Sequence, residues 1–133
     1  EAYDCVGLIS SRCYPKPEWR HTMTASYDSN SFWAVTARWR YFDGVDYDGS
    51  LTSTRSEGAD AIVQDNVSGS ESYLDINATV RFLGDSELLV GINNVLDEEP
   101  PLVGGTLSSN ANAIAGFYDT LGQYLFAQVT FRF

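Results

Sequence analysis

Residues 124–133 read YLFAQVTFRF, and the alternation within them decides the fold. Leu125, Ala127, Val129, Phe131 and Phe133 fall on one side of an extended chain. Tyr124, Phe126, Gln128, Thr130 and Arg132 fall on the other. A period of two marks a β-strand with one apolar face, because successive side chains leave opposite sides of the pleat. The apolar series continues to a closing aromatic, where chain ends ordinarily fray into polar residues. Such an ending calls for a partner strand and an apolar environment on one side only.

The same period recurs upstream. WRHTMTASY (19–27) sets Trp19, His21, Met23, Ala25 and Tyr27 against Arg20, Thr22, Thr24 and Ser26. FWAVTARWRY (32–41) sets Trp33, Val35, Ala37, Trp39 and Tyr41 against Thr36, Arg38 and Arg40. SYLDINATVRF (72–82) carries Leu74, Ile76, Ala78, Val80 and Phe82 on its apolar side, and ELLVGIN (87–93) carries Leu88, Val90 and Ile92. The turn formers DSNS and LGDS join these segments into two hairpins. A first hairpin centred near Asn30 opposes Tyr27 to Trp33, Ala25 to Val35, His21 to Trp39 and Trp19 to Tyr41. The second opposes Phe82 to Leu88, Val80 to Val90 and Ala78 to Ile92. The expected fold is all-β, an antiparallel up-and-down meander of about five long strands.

Composition narrows the function. The chain of 133 residues carries a net charge of -10, which argues against a nucleic-acid partner. No run approaches the roughly 18 apolar residues of a membrane helix. The opening EAYDCVGL has neither Met nor a basic stretch leading into an apolar one, so the sequence reads as a mature product or a piece of something larger. Cys5 and Cys13 fit a small-loop disulfide better than two free thiols, which implies an oxidising compartment. A metal centre would need a second ligand pair, and His21 is the only histidine. The acidic trio Asp43, Asp46 and Asp48 lacks the spacing of a calcium loop and reads as a solvated loop. His21 sits at apolar parity beside Arg20 and near Trp19, which fits a histidine at a membrane interface better than the base of a Ser-His-Asp arrangement, so no catalytic residue and no cofactor is expected.

Loop lengths and aromatics point to a specific environment. The two tight turns contrast with the connections spanning 43–71 and 97–123, which are rich in Gly, Ser and Asp and are expected to be mobile. Short turns on one side and long loops on the other are how outer-membrane barrels are built. Arg20, Arg38, Arg40, Arg81 and Arg132 all stand at polar parity, with Asp75 beside them, where a wet lumen would receive them. Trp19, Tyr27, Trp33, Trp39, Tyr41 and Phe82 lie toward the ends of the apolar faces, with small aliphatics between them. That is the aromatic girdle of a lipid-facing wall. Pro100 and Pro101 cannot donate to a ladder and mark where the fourth strand has stopped.

Three stretches carry a family resemblance. VGINNVLDEEPP (90–101), with Asn93, Asn94, Asp97, Pro100 and Pro101, resembles the Asn-Leu-Phe-Asp … Pro signature near the end of TonB-dependent outer-membrane receptors. YDTLGQYLFAQVTFRF (118–133) is similar to their closing strand, and the opening Cys pair followed by PKPEWRH and ARWRYFDG resembles a late barrel region in a subset of them. Val95, Leu96 and Gln123 depart from the usual residues while keeping the strand-end character. The resemblance implies the last part of a 22-stranded transmembrane barrel in the bacterial outer membrane, with the plug and the TonB-contacting region belonging to an N-terminal part not included here. It implies outer-membrane lipid as a partner, and recognition of Leu125, Ala127, Val129, Phe131 and Phe133 by the barrel assembly machinery. It further implies TonB contact through that N-terminal region, and a scarce small nutrient (a ferric siderophore, cobalamin or a saccharide) as ligand. The alternative reading is a secreted, soluble all-β module whose aromatic face binds carbohydrate.

Overall fold

The computed structural model describes residues 4–9, 13–47, 69–82, 84–101, 114 and 117–132. Among the described residues seven strands follow in chain order: β1 (Leu8–Ile9), β2 (Arg20–Asp28), β3 (Trp33–Phe42), β4 (Asp46–Tyr47), β5 (Glu71–Phe82), β6 (Ser86–Asn93) and β7 (Tyr124–Thr130). The described residues contain no helix. The five long strands form one antiparallel sheet in the order β2-β3-β5-β6-β7, and each is neighbour to the next in sequence. Their alternating β-branched and aromatic residues suit a pleated sheet with two unlike faces. The two-residue strands β1 and β4, which alternation does not reveal, pair in parallel as a separate small sheet.

The chain divides into two compact units. The first comprises Glu1–Arg20, Tyr41–Glu71 and Glu99–Thr120; the second comprises His21–Arg40, Ser72–Glu98 and Leu121–Phe133. The first, the loop unit, has a small conventional core of buried Ile9, Val45, Ile114 and Tyr118, with Phe117 packed against it. Cys5 and Cys13 are joined by a disulfide there. The Gly7 amide donates to the Lys16 carbonyl at 2.7 Å, closing the same segment. The second, the sheet unit, contains most of the five-stranded sheet.

Both hairpins pair two residues away from the expected register. In the first, Ser29 N donates to the Trp33 carbonyl at 3.1 Å, and the Ser26 and Thr36 hydroxyls meet at 3.0 Å. The hairpin is therefore centred on Ser31, not Asn30. The cause is local. Asp28 accepts from Asn30 N at 2.8 Å, the Ser29 hydroxyl donates to the Trp33 carbonyl at 2.7 Å, and Asn30 takes the left-handed conformation at φ 55°. Ser29 is thereby tied to Trp33, and three residues make the bend. In the second hairpin Phe82 pairs with Ser86, Val80 with Leu88, Ala78 with Val90 and Ile76 with Ile92. Gly84, at φ 73°, lets the turn close one pair earlier, so Ser86 joins the strand rather than the bend.

Candidate functional site

A shift of two leaves every side chain on its expected face, so the faces survive the register change. One face of the sheet unit collects Met23, Ala25 and Tyr27, then Trp33, Ala37 and Trp39, then Leu74 to Phe82 at even positions. Leu88, Val90 and Ile92 follow, opposite Val129, Ala127 and Leu125 of β7. Its residues near the chain end are exposed, with Leu125 75% accessible, Phe131 65% and Val129 50%, while Leu74, Ala78, Val80, Phe82, Leu88 and Ile92 are half-buried. The opposite face is exposed at Thr22, Thr24, Ser26, Arg38 and Gln128 and buried around the start of β5 and at Gly91. Tyr73 is fully buried, and Asp75 and Gly91 are largely buried. An aqueous half-buried sheet would cover such an apolar face with a second layer.

The exposed apolar face has a graded relief. Toward the end with the tight turns, Tyr27 and Trp33 rings lie 5.4 Å apart. Phe82 of β5 and Phe131, the residue just after β7, meet edge-on at 6.2 Å, and Ser86 of the intervening β6 is buried. Toward the other end, His21 and Trp39 meet edge-on at 4.8 Å, and Trp39 Nε1 donates to the Ser72 hydroxyl at 2.7 Å. Between the aromatic rows lie small and aliphatic side chains. They form two shallow apolar hollows, one of about 540 Å³ along Ile76, Ala78, Val90, Ile92, Leu125 and Ala127, the other of about 330 Å³ over Ala25, Ala37 and Leu74.

Polar side chains brace the opposite face. Arg40 bonds Asp75 at 3.2 Å and lies 5.1 Å over the Tyr73 ring. Asp75 also accepts from the Asn94 backbone amide at 3.0 Å, so one carboxylate ties β3 and β5 to the exit of β6. Arg81 bonds Asp28 at 2.6 Å across the intervening β3. Arg20, Arg38 and Arg132 are exposed. Asp75, expected to line a wet face, is buried and paired with Arg40, beside the buried ring of Tyr73. Within this face Phe126 lies over Gly91, where even a Cβ would overlap the ring. A mid-strand glycine two residues from an apolar neighbour was the available signal for such a gap.

The turn after β6 brings together residues from both C-terminal stretches. Asn94 is fully buried at φ 49°, and its side chain exchanges two hydrogen bonds with the Glu98 backbone, at 2.9 and 3.0 Å. Asp97, at φ 53°, accepts from Gln123 N at 2.9 Å, and Gln123 Nε2 donates to the Val95 carbonyl at 2.9 Å. Asn93 pairs with Tyr124 at the head of the β6–β7 ladder. Pro100 and Pro101 follow outside the sheet.

In the loop unit, Trp19 is 62% exposed and its carbonyl accepts from Asp43 N at 2.9 Å. Tyr41 OH approaches the Asp43 carboxylate at 3.5 Å. Phe117 packs against Phe42, Tyr14 and Tyr118. The Tyr118 hydroxyl is buried with no hydrogen-bond partner among the described residues, and burial, followed by the nearby Glu71 charge, pushes its pKa up to about 12. Among the described residues no group of three His, Cys, Asp or Glu is placed to hold a metal ion. Phe133, Asp48 and most of the two long connections lie outside the described residues. No protein-family model, no curated protein and no solved structure matches the chain.

Proposed function

We propose that this chain is the C-terminal portion of the transmembrane β-barrel of a TonB-dependent receptor in the bacterial outer membrane. The observation that carries the reading is the inverted burial of the sheet unit, with aliphatic residues such as Leu125 and Val129 outward and Tyr73 and Asp75 buried. In hydrocarbon an apolar side chain has no reason to hide, whereas polar groups must find partners on the other face. The strands of 9, 10 and 12 residues in β2, β3 and β5 reach the length a tilted membrane strand needs, about 9–11 residues, while β6 with 8 and β7 with 7 fall short of it. The aromatic rows toward both ends of the face occupy the headgroup levels.

In this reading the face of Met23, Trp33, Ile76, Val90 and Val129 touches lipid, and the braced face of Arg40, Asp75 and Arg81 looks into the barrel. The outer edges of β2 and β7 pair with further strands of the barrel, because an unpaired edge is not tolerated in lipid. The assembly machinery reads the closing strand. TonB acts through an N-terminal region, and a scarce small nutrient is the cargo. The role is passage and wall, with no bond made or broken.

Dispersing the purified chain in detergent-free buffer tests the proposal. A barrel segment aggregates or demands detergent and floats with liposomes. A secreted carbohydrate-binding module stays monomeric in buffer and leaves the lipid fraction empty, and that result would end the receptor reading.

A further inference from the structure

We propose that the register of the terminal strand is set by two contacts outside the apolar pattern: the Asp97 carboxylate on Gln123 N, and Phe126 seated over Gly91. The apolar pattern alone leaves the register ambiguous. Leu125, Ala127 and Val129 face Ile92, Val90 and Leu88, so a slip of two residues still sets apolar against apolar on the same face. In the two hairpins a tight turn removes that ambiguity. Between β6 and β7 the chain runs from Asn93 to Tyr124, and changing so long a connection by two residues alters its closure entropy negligibly.

Something other than the loop must choose, and both contacts are tuned to one register only. Asp97 holds the left-handed conformation at φ 53°, which Asp tolerates better than most residues, and this aims Oδ1 at Gln123 N, 2.9 Å away. Gly122, at φ 67°, precedes it, and a Cβ there would stand 3.3 Å from the same oxygen. Gln123 is the residue immediately before β7, so the bond fixes where the strand begins. Three residues later Phe126 needs the space left by Gly91, where a Cβ would overlap its ring. A slip of two would drive that ring onto Leu89 or Asn93. Asp97 is thus a positioning residue, and Gly91 is its partner in the same task. The device would operate equally in a soluble sheet, so its failure leaves the barrel proposal standing.

Cysteine pairs read the register directly, with the chain folded in detergent micelles and oxidised products mapped by mass spectrometry. Leu88→Cys/Val129→Cys reports the native pairing, and Leu88→Cys/Ala127→Cys and Val90→Cys/Val129→Cys report slips in either direction. In the wild-type background the native pair dominates. Asp97→Ala raises the slipped-to-native ratio at least threefold, and Asp97→Ala with Phe126→Leu raises it at least tenfold. Asp97→Asn with Phe126→Leu stays within threefold of Phe126→Leu alone, because the amide oxygen still accepts from Gln123 N. A slipped fraction that fails to rise in the double variant overturns the proposal. So does equal slippage with Ala and Asn at position 97, which would reduce Asp97 to a general stabiliser. If the double variant loses all cross-linking, the Asp97→Ala ratio alone decides at the threefold mark.

Discussion

The loop unit and the sheet unit bury different things. In the loop unit Ile9, Val45, Ile114 and Tyr118 gather inside, and a disulfide between Cys5 and Cys13 reinforces so small a core. In the sheet unit Tyr73, Asp75 and Asn94 are inside, while Leu125, Phe131 and Met23 stand outside. Water accounts for the first pattern. The second is what hydrocarbon on one face would select, because there the cost falls on unpaired polar groups rather than on exposed apolar ones. Substitutions should distinguish the two patterns.

The largest contrast comes from a charge on the exposed apolar face. Ala127→Arg, midway along β7, should destabilise the membrane-inserted state by about 2–4 kcal/mol, read from denaturant titration in lipid. In an aqueous sheet the same exposed position would change stability by roughly 0.5 kcal/mol or less. Removing the disulfide with Cys5→Ala and Cys13→Ala acts on the other unit. For a cross-link between residues 8 apart it should cost roughly 2–3 kcal/mol. Hydrogen exchange should then rise in Gly7–Ile9 and Val45–Asp46 and stay unchanged in β5 and β6.

How much of this was readable from the residues depends on the range of the interaction. The five long strands and their two faces follow from alternation, which is a local property of each segment. The register does not, because alternation repeats every two residues and Ser29, Asn30 and Gly84 decide where each bend closes. Ser86 looks like a turn residue, yet it is buried as part of a strand. Asn94 and Asp97 stood out by resemblance, but their bonds to Glu98 and Gln123 depend on backbone left-handedness that composition does not reveal. The core of the loop unit was not legible at all. Ile9, Val45 and Tyr118 come from short segments without a period, assembled only by the tertiary fold.

Two smaller effects sharpen the comparison. Gly91→Ala should cost about 1–3 kcal/mol by forcing Phe126 off its seat, and a smaller residue at 126 should recover part of that in a thermal melt. Tyr118→Phe should have the opposite sign, stabilising the loop unit by roughly 1 kcal/mol, since it removes a buried hydroxyl that has no partner among the described residues. The same hydroxyl predicts a pH effect. Its folded pKa of about 12 lies above the ordinary tyrosine value of 10.0, so the fold binds the proton more tightly than the unfolded chain does. That contribution is intact below pH 10.0 and is lost as the pH rises toward about 12, which tyrosinate absorbance with and without Tyr118→Phe would follow.

Fluorescence quenching by brominated acyl chains asks most directly which solvent the exposed face meets. Variants retaining Trp33 alone or Trp39 alone, refolded into bilayers, should lose most of their emission when the bromine sits in the outer third of the chains, and each should emit at blue-shifted wavelengths. Emission that stays red-shifted and unquenched from both positions, with the sheet still formed, would place water on that face and contradict the account.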